Sequence, residues 1–110
     1  MEIVGWQSQL RKGATELVVL ATLEEEEAYG LQILARANAA GDLVTDGALY
    51  PLLARLEKAG RIVARWETGE GGNPRKYYRL TDDGRALLGA MRELWVDFRK
   101  TISTIVEDGA

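Results

Sequence analysis

The first third of the chain carries the hydrophobic pattern of two helices. Over residues 3–23, apolar side chains recur at intervals of three and four, which places them on one face of a helix. That stripe consists of Ile3, Trp6, Leu10, Ala14, Leu17 and Ala21. Residues 17–23 are apolar nearly all round, so we expect this end of the helix to be buried. A shorter helix is predicted over residues 29–39, and Gly41 is suited to end it.

Residues 45–60 carry the pattern of a third helix with two different faces. Thr45 is a favourable N-cap, and Asp46 suits the positive end of the helix dipole. The predicted core face consists of Leu49, Leu52, Leu53 and Leu56. Pro51 conflicts with this pattern because it removes an internal hydrogen bond, so the helix either bends there or begins with an irregular turn. Gly60 is expected to end it.

Alternation of apolar and polar positions then predicts a β-hairpin. Residues 61–68 form its first strand, in which Ile62, Ala64 and Trp66 lie on one side and Val63, Arg65 and Glu67 on the other. Residues 69–74 are rich in glycine and predict a flexible turn. The second strand, over residues 75–80, makes one arm of the hairpin both basic and aromatic.

A long helix is predicted to begin after the N-cap Thr81 and to run to about residue 106. At 1.5 Å per residue it would span about 38 Å, more than a globule of this size needs. Its apolar residues form a coiled-coil-like seam. Together with the start of the first helix, this seam leaves too much apolar surface for a monomer. The predicted dimer interface comprises Ile3, Trp6, Leu10, Leu87, Met91, Leu94, Phe98, Ile102 and Ile105, with the last helix packed on the partner's first helix.

Composition excludes several classes of chemistry. The chain has 110 residues, which fits one domain, and it contains neither cysteine nor histidine. Disulfides, thiol nucleophiles, Ser-His-Asp catalysis and the usual zinc sites are therefore excluded. We expect no enzyme, no catalytic residues, no metal and no cofactor. No segment approaches the roughly 20 apolar residues of a membrane span, and no secretory signal is recognisable, so the expected location is the cytoplasm.

Charge is distributed unevenly along this chain of net charge −3. Residues 1–44 hold 3 basic and 7 acidic side chains (−4), residues 45–80 hold 7 and 4 (+3), and residues 81–110 hold 4 and 6 (−2). The middle third is therefore a basic island where a polyanion could dock. The acidic run at residues 24–27 is interpreted either as a carboxylate metal site or as a solvated helix end.

The order of predicted elements indicates a winged helix-turn-helix. The fold class is mainly α with a small β-hairpin, plus a long C-terminal dimerisation helix. Residues 1–80 would form the DNA-binding unit and residues 81–110 the dimerisation helix. The N-terminus of the third helix can enter a major groove while the hairpin reaches phosphates. The candidate DNA-binding residues are Thr45, Asp46, Gly47, Ala48, Tyr50, Arg55, Arg75, Lys76 and Tyr77; alternatively, their charges form an ordinary solvated surface.

The residues that build this pattern resemble those of PadR-like transcriptional regulators. The resemblance rests on TDGALYPLLARLEKAGRI (residues 45–62), GEGGNPRKYYRLTDDGR (69–85), KGATELVVLATL (12–23) and AYG (28–30). It covers about residues 10–98 and corresponds to the short subfamily with a single C-terminal helix. One departure is Ala48, where the family often has threonine, which puts one hydroxyl contact to DNA in doubt.

The resemblance implies a homodimeric repressor that binds double-stranded, palindromic operator DNA. In some members a small aromatic effector releases the protein from DNA, and in some short relatives a tryptophan corresponding to Trp95 lines a cavity between subunits. The candidate effector-binding residues are Leu10, Leu17, Met91, Arg92, Trp95 and Arg99. Two arginines beside Trp95 would favour anionic or electron-rich aromatics; alternatively, Trp95 is interface packing.

A second class of function stays open at this point. A winged helix can serve as a protein-interaction module without specific DNA binding, because a fold does not determine a function. The acidic terminal segments and Ala48 favour that alternative. A steep salt dependence of DNA affinity would favour the regulator instead.

Overall fold

The described chain folds into four α-helices and a small antiparallel sheet. The computed structural model describes residues 2–107, except for the side chain at position 70. Residue 1 of the predicted DNA-binding unit and residues 108–110 of the predicted dimerisation helix lie outside the described residues. The elements are α1 (Ile3–Thr22), β1 (Ala28–Tyr29), α2 (Gly30–Ala37), α3 (Asp46–Lys58), β2 (Ile62–Thr68), β3 (Pro74–Leu80) and α4 (Asp82–Val106). The mainly helical fold class with its hairpin and long last helix is thereby confirmed. None of the described helices is long and apolar enough to cross a bilayer.

Both predicted threonine N-caps are confirmed. The Thr45 hydroxyl accepts a hydrogen bond from the Ala48 N–H at 3.2 Å, and the Thr81 hydroxyl accepts one from the Gly84 N–H at 3.0 Å. A capping threonine satisfies one of the N–H groups that the first helical turn leaves unpaired. The polar residues before each leucine-rich stretch therefore fix where α3 and α4 begin.

Helix α3 continues through its proline and ends where the sequence predicts. Pro51 lies inside an unbroken helix, because the loss of one N–H removes a single bond and leaves the rest of the ladder intact. Gly60 follows the helix with a φ of +77°, a conformation in which glycine is least strained. The Arg61 N–H then donates to the Leu56 carbonyl at 2.9 Å, closing the end of α3.

The sheet has the strand order β1-β3-β2 and contains a strand that sequence reasoning missed. The hydrophobic pattern predicts Tyr29 in the second helix. In the structure Tyr29 belongs to β1, where it pairs with Tyr77 of β3, and it is the N-cap of α2 in an extended conformation. Its N–H donates to Oε1 of Gln32 at 3.1 Å. A strand of two residues has no alternation to detect, and the prediction was wrong for this reason. Helix α2 also ends at Ala37, two residues before the predicted end.

One apolar core lies between the helices and the sheet. All four leucines of the predicted α3 face are buried, together with Val19, Leu20, Leu23, Ala28, Ile33, Ala37, Val44, Ile62, Tyr78, Leu80 and Leu88. Leu88 belongs to α4, so the first turns of that helix pack with the segment predicted as the DNA-binding unit. The inner side of β2 leaves this core progressively, because Ile62 is buried, Ala64 is half-buried and Trp66 is exposed.

Helix α4 makes the molecule elongated. The radius of gyration is 16.0 Å, and the principal extents are 57 × 32 × 22 Å. A compact domain of this length would have a radius near 13 Å, or about four-fifths of the observed value. The second half of α4 therefore extends beyond the core and leaves its seam residues exposed to solvent.

Candidate nucleic-acid interface and the groove between the terminal helices

The first turn of α3 is presented to solvent. Its candidate contact residues, Thr45, Asp46, Gly47 and Ala48, are all exposed, whereas Leu49 behind them is buried. A helix start directs unpaired N–H groups and the positive end of the dipole outward, which favours an approaching phosphate. Gly47 has open space around it, because a Cβ added there would meet no atom closer than 4.0 Å.

The turn that leads into α3 is held by Asn38, a residue that sequence reasoning missed. Its Nδ2 donates to the Val44 carbonyl at 2.8 Å, and its Oδ1 accepts from the N–H groups of Leu43 and Val44 at 2.8 and 2.9 Å. A short amide side chain at a helix end is suited to such local backbone bonds. That position, directly after α2, is the only indication the sequence offered.

Tyr50 and Arg55 lie on the solvent side of α3. The Tyr50 ring packs over Gly30, where an added Cβ would lie 2.6 Å from the tyrosine hydroxyl. Gly30 therefore allows α2 and α3 to approach with the ring between them. Arg55 is exposed and forms no ion pair with any side chain that the structure describes. Both side chains are exposed and can meet a DNA backbone, Tyr50 near the first turn of α3 and Arg55 further along the helix.

We define the wing as residues 62–80, and its outer face carries a stack of aromatic and basic side chains. The Arg75 guanidinium lies 4.7 Å from the centre of the Tyr29 ring. Tyr29 meets Tyr77 edge to face at 5.5 Å between centroids, and Arg65 lies 4.8 Å from the Tyr77 centroid. Tyr77 is thus half-buried within the stack, while Arg75 is exposed at its end.

The inner face of the wing holds Lys76 against α3. Its Nζ lies 2.9 Å from Oε1 of Glu57, and Trp66 stands directly across from it on β2. The hydrogen bond to Glu57 raises the pKa of the Lys76 ammonium above its ordinary value. A phosphate would compete with Glu57 for this ammonium, and the predicted phosphate contact of Lys76 stays a prediction.

Arginines from three other elements pair with the acidic run that follows α1. The pairs are Glu24 with Arg92 at 2.8 Å, Glu26 with Arg36 at 3.0 Å, and Glu27 with Arg65. Hydrogen bonds from Arg92 and Arg65 hold the pKa values of the Glu24 and Glu27 carboxyls below their usual range. No cluster of metal-ligating side chains occurs in the described part of the chain. The run therefore connects α1 to α2, β2 and α4.

A groove of about 680 Å³ lies between α1 and the exposed half of α4. Its lining consists of Gln9, Leu10, Gly13, Ala14, Leu17, Met91, Leu94, Trp95, Asp97, Phe98 and Thr101. The structure thus brings together four of the six predicted effector-binding residues: Leu10, Leu17, Met91 and Trp95. Small residues on α1 leave the space that the Trp95 ring borders.

The two predicted arginines are not in this groove. Arg92 is held by Glu24 through hydrogen bonds of 2.8 and 2.9 Å, and it borders a smaller cavity of about 400 Å³ on the other side of Trp95. Arg99 is exposed and lines neither cavity. Asp97 is the charged residue that lines the larger groove. The expected preference for anionic ligands therefore has no basis in this groove.

The residues predicted to form the dimer interface divide into two groups. Leu87 and Met91 are partly buried against the chain's own core. The others, Ile3, Trp6, Leu10, Leu94, Phe98, Ile102 and Ile105, are exposed along α1 and α4. Leu94 and Phe98 expose 70% and 61% of their surface, a large fraction for side chains of this kind.

A two-faced helix with an exposed start, entered through a tight turn and flanked by a hairpin, defines a winged helix-turn-helix protein. The sequence matches the family described as "Transcriptional regulator PadR-like family" over residues 19–90, well over half of the chain. The chain therefore belongs to the PadR-like family of transcriptional regulators, as its resemblance implied. Membership makes it a non-enzymatic, DNA-binding regulator of transcription.

Individual relatives agree with this assignment. A PadR family regulator from Eggerthella lenta is 33% identical, with a TM-score of 0.80 over 96% of this chain and 88% of its own. A PadR-like regulator from Bacillus cereus is 31% identical, with a TM-score of 0.80 over 90% and 97%. Transcriptional regulator Rv3488 of Mycobacterium tuberculosis is 32% identical over 73% of this chain and 74% of its own.

Proposed function

We propose that the protein is a cytoplasmic, homodimeric repressor that binds a two-fold symmetric operator. Residues 1–80 would contact DNA through α3 and the wing, and residues 81–110 would join the subunits. The observation that carries this proposal is the apolar face of α1 and α4, which is continuous with the core yet exposed in one chain. Such a face on a soluble protein indicates a partner surface.

A second copy of the chain is the partner that fits this face. Members of the family typically dimerise, and α4 is long enough to cross a second subunit. A two-fold dimer would present its recognition helices about 34–36 Å apart, one turn of DNA. The exposed first turn of α3, together with Arg55 further along the helix and Arg75 on the wing, would then meet both half-sites.

Dimerisation and DNA binding are tested together with Phe98→Asp. A carboxylate buried between subunits carries a large desolvation cost, so we expect a monomer by light scattering and a loss of operator affinity of at least tenfold. Lys100→Asp, on the same helix, changes charge outside the apolar face and serves as the control. A Phe98→Asp protein that stays dimeric would contradict this interface.

The salt dependence of the affinity separates the repressor from the protein-interaction module. Binding through phosphates releases counterions, so affinity must fall steeply as salt rises. Arg75→Ala is expected to lower the slope by about one unit, since one phosphate contact is lost. A wild-type affinity that does not depend on salt would favour the module instead.

The groove beside Trp95 is the site we propose for a small aromatic effector. In a dimer the second copy would cover the open side of the groove and enclose a flat ligand against the indole. Because Asp97 supplies the charge there, we expect planar cationic aromatics to bind more tightly than anionic ones.

Tryptophan fluorescence tests the effector site. Titration with ethidium should quench the emission saturably, and Trp95→Phe should abolish this quenching while Trp6→Phe and Trp66→Phe retain it. Asp97→Asn should weaken ethidium binding roughly two- to tenfold through loss of one charge pair. A Trp95→Phe protein that becomes monomeric would assign Trp95 to interface packing.

A further inference from the structure

Glu57 and Lys76 join the recognition helix to the wing. Among the side chains that the structure describes, theirs is the one ion pair between α3 and the wing, with Nζ and Oε1 2.9 Å apart. Their side chains are only 38% and 31% exposed, so the pair lies in the angle between helix and hairpin rather than on an open surface. The pair therefore spans the two elements that DNA must contact together.

Two aromatic rings lie close to the ammonium group of Lys76. Its Nζ lies 5.4 Å from the centre of the Tyr78 ring and 5.9 Å from that of Trp66. Both distances are within the range of cation–π attraction. Glu57 and the two rings therefore already stabilise the charge of this ammonium, and a phosphate would compete with them for it.

The adjacent residue differs in each of these respects. Arg75 lies on the opposite face of β3, is exposed, and forms no ion pair with the described side chains. Its guanidinium stacks over Tyr29 and keeps its hydrogen-bond donors available. The two neighbouring cations, which the sequence treats alike, are therefore placed for different tasks.

We propose that Lys76 is a positioning residue, which with Glu57 sets the angle between α3 and the wing, and that it does not bind phosphate. The proposal rests on DNA docking through α3 and the wing. A hairpin of two strands is only marginally ordered by its own bonds, and the outer half of this one lies beyond the core. The ion pair holds that outer half against the recognition helix before DNA arrives.

The two possible roles of Lys76 predict opposite effects of Glu57→Gln on the affinity for DNA. If Lys76 positions the wing, the variant loosens it, and affinity for duplex DNA falls about two- to fivefold, the range for partly exposed pairs. If Lys76 binds phosphate, removal of a competing carboxylate strengthens binding. The DNA is a duplex selected from a random-sequence pool by the wild-type protein. Glu67→Gln, which removes the same charge from the wing without touching Lys76, is the matched control and should not weaken binding.

Two further variants test the same assignment. Lys76→Gln should lower affinity while leaving the salt slope unchanged, whereas loss of a phosphate contact lowers the slope by about one unit. The exchange Glu57→Lys/Lys76→Glu reverses the pair and should restore affinity relative to Lys76→Glu alone. If position 76 faced a phosphate, its glutamate in the exchange variant would repel the DNA and affinity would not be restored. Failure of the exchange, together with a reduced salt slope in Lys76→Gln, would overturn the proposal.

A measurement without DNA separates this proposal from the docking on which it rests. In a Trp6→Phe/Trp95→Phe background, Trp66 is the remaining tryptophan and reports the ring beside Lys76. Glu57→Gln should shift its emission and raise the hydrogen exchange of β2 and β3 amides. Unchanged emission and exchange would refute the positioning role directly. If Trp66 emission and amide exchange change while the wild-type protein shows no salt-dependent DNA binding, the proposed DNA docking is refuted. The positioning of the wing by Glu57 and Lys76 is then still supported.

Discussion

The leucines of α3 and those of α4 lie in opposite environments. In α3 the four leucines of the inner face are at most 3% exposed, and they pack against α1, α2 and the sheet. In α4 the core is reached through Leu87, Leu88 and Met91, while the seam residues further along the helix face solvent: Leu94, Phe98, Ile102 and Ile105. Both helices carry apolar stripes of similar spacing, so spacing alone does not reveal which stripe the chain buries by itself.

The difference follows from where each helix lies relative to the other elements. Helix α3 is short and enclosed on its inner side by chain that precedes and follows it. Helix α4 extends past the core, and its exposed half faces α1 across an open groove. One half of the molecule therefore completes its core within a single chain, and the other half leaves an apolar face exposed.

The largest expected effect contrasts two leucines from these halves. Leu53→Ala removes a buried side chain and should lower the free energy of unfolding by about 2–5 kcal/mol. Leu94→Ala removes an exposed one and should change the stability of an isolated subunit by less than about 0.5 kcal/mol. Denaturant unfolding at a protein concentration at which light scattering shows single subunits measures both values. Equal losses in the two variants would refute the contrast.

A pair of glycines in α4 tests where the helix leaves the core. At Gly84 an added Cβ would lie 1.9 Å from the Arg61 carbonyl oxygen, so Gly84→Ala must displace backbone. We expect a loss of about 1–3 kcal/mol from this overpacking. Gly89, five residues on, has open space at the same point. Gly89→Ala should therefore stabilise the helix by roughly 0.5–1 kcal/mol, and thermal unfolding compares the two.

Much of the fold followed from local rules. The threonine N-caps, the leucine face of α3, the glycine that ends it, and the extent of α4 each depend on residues close together in sequence. Strand β1 does not follow from local rules. Ala28 and Tyr29 become a strand only through pairing with Tyr78 and Tyr77, which lie about half the chain away. Tertiary pairing overrode a helical pattern at that point.

The site was predicted in its elements but not in its pairings. Four residues that line one groove were predicted: the resemblance to PadR-like regulators indicated Trp95, and helical spacing placed Leu10, Leu17 and Met91 on apolar stripes. Helical spacing also grouped Arg92 with Trp95, but in the structure Arg92 forms an ion pair with Glu24. Spacing along one helix cannot predict a pairing with a carboxylate on another segment. The same limit applies to Lys76, since its partner Glu57 lies on a different element.

A third prediction concerns the contact between the two helices of the helix-turn-helix. Gly30→Ala places a methyl group 2.6 Å from the present position of the Tyr50 hydroxyl. The ring can swing away, so stability should change by no more than about 1 kcal/mol. Affinity for DNA should fall roughly three- to tenfold if Tyr50 contacts a phosphate. Tyr50→Phe keeps the ring and is the control for loss of the hydroxyl alone; unaltered affinity in both variants would remove Tyr50 from the interface.

The smallest expected effect concerns the pair that links the two halves, Glu24 and Arg92. The hydrogen bond from Arg92 holds the pKa of the Glu24 carboxyl below its ordinary value of 4.5. A carboxyl group whose pKa is lower in the folded chain than in the unfolded chain stabilises the fold above the unfolded value. That stabilisation is lost as pH falls through the folded value.

Wild-type protein should therefore lose thermal stability as pH falls below about 4.5, and Arg92→Gln should lose less over the same range. Arg99→Gln, an exposed arginine of α4 without an ion pair to any described side chain, is the control and should follow the wild type. Because both partners are largely solvated, the difference should shrink further in high salt. Identical pH profiles for all three proteins would mean that this pair contributes nothing to the attachment of α4 to the core.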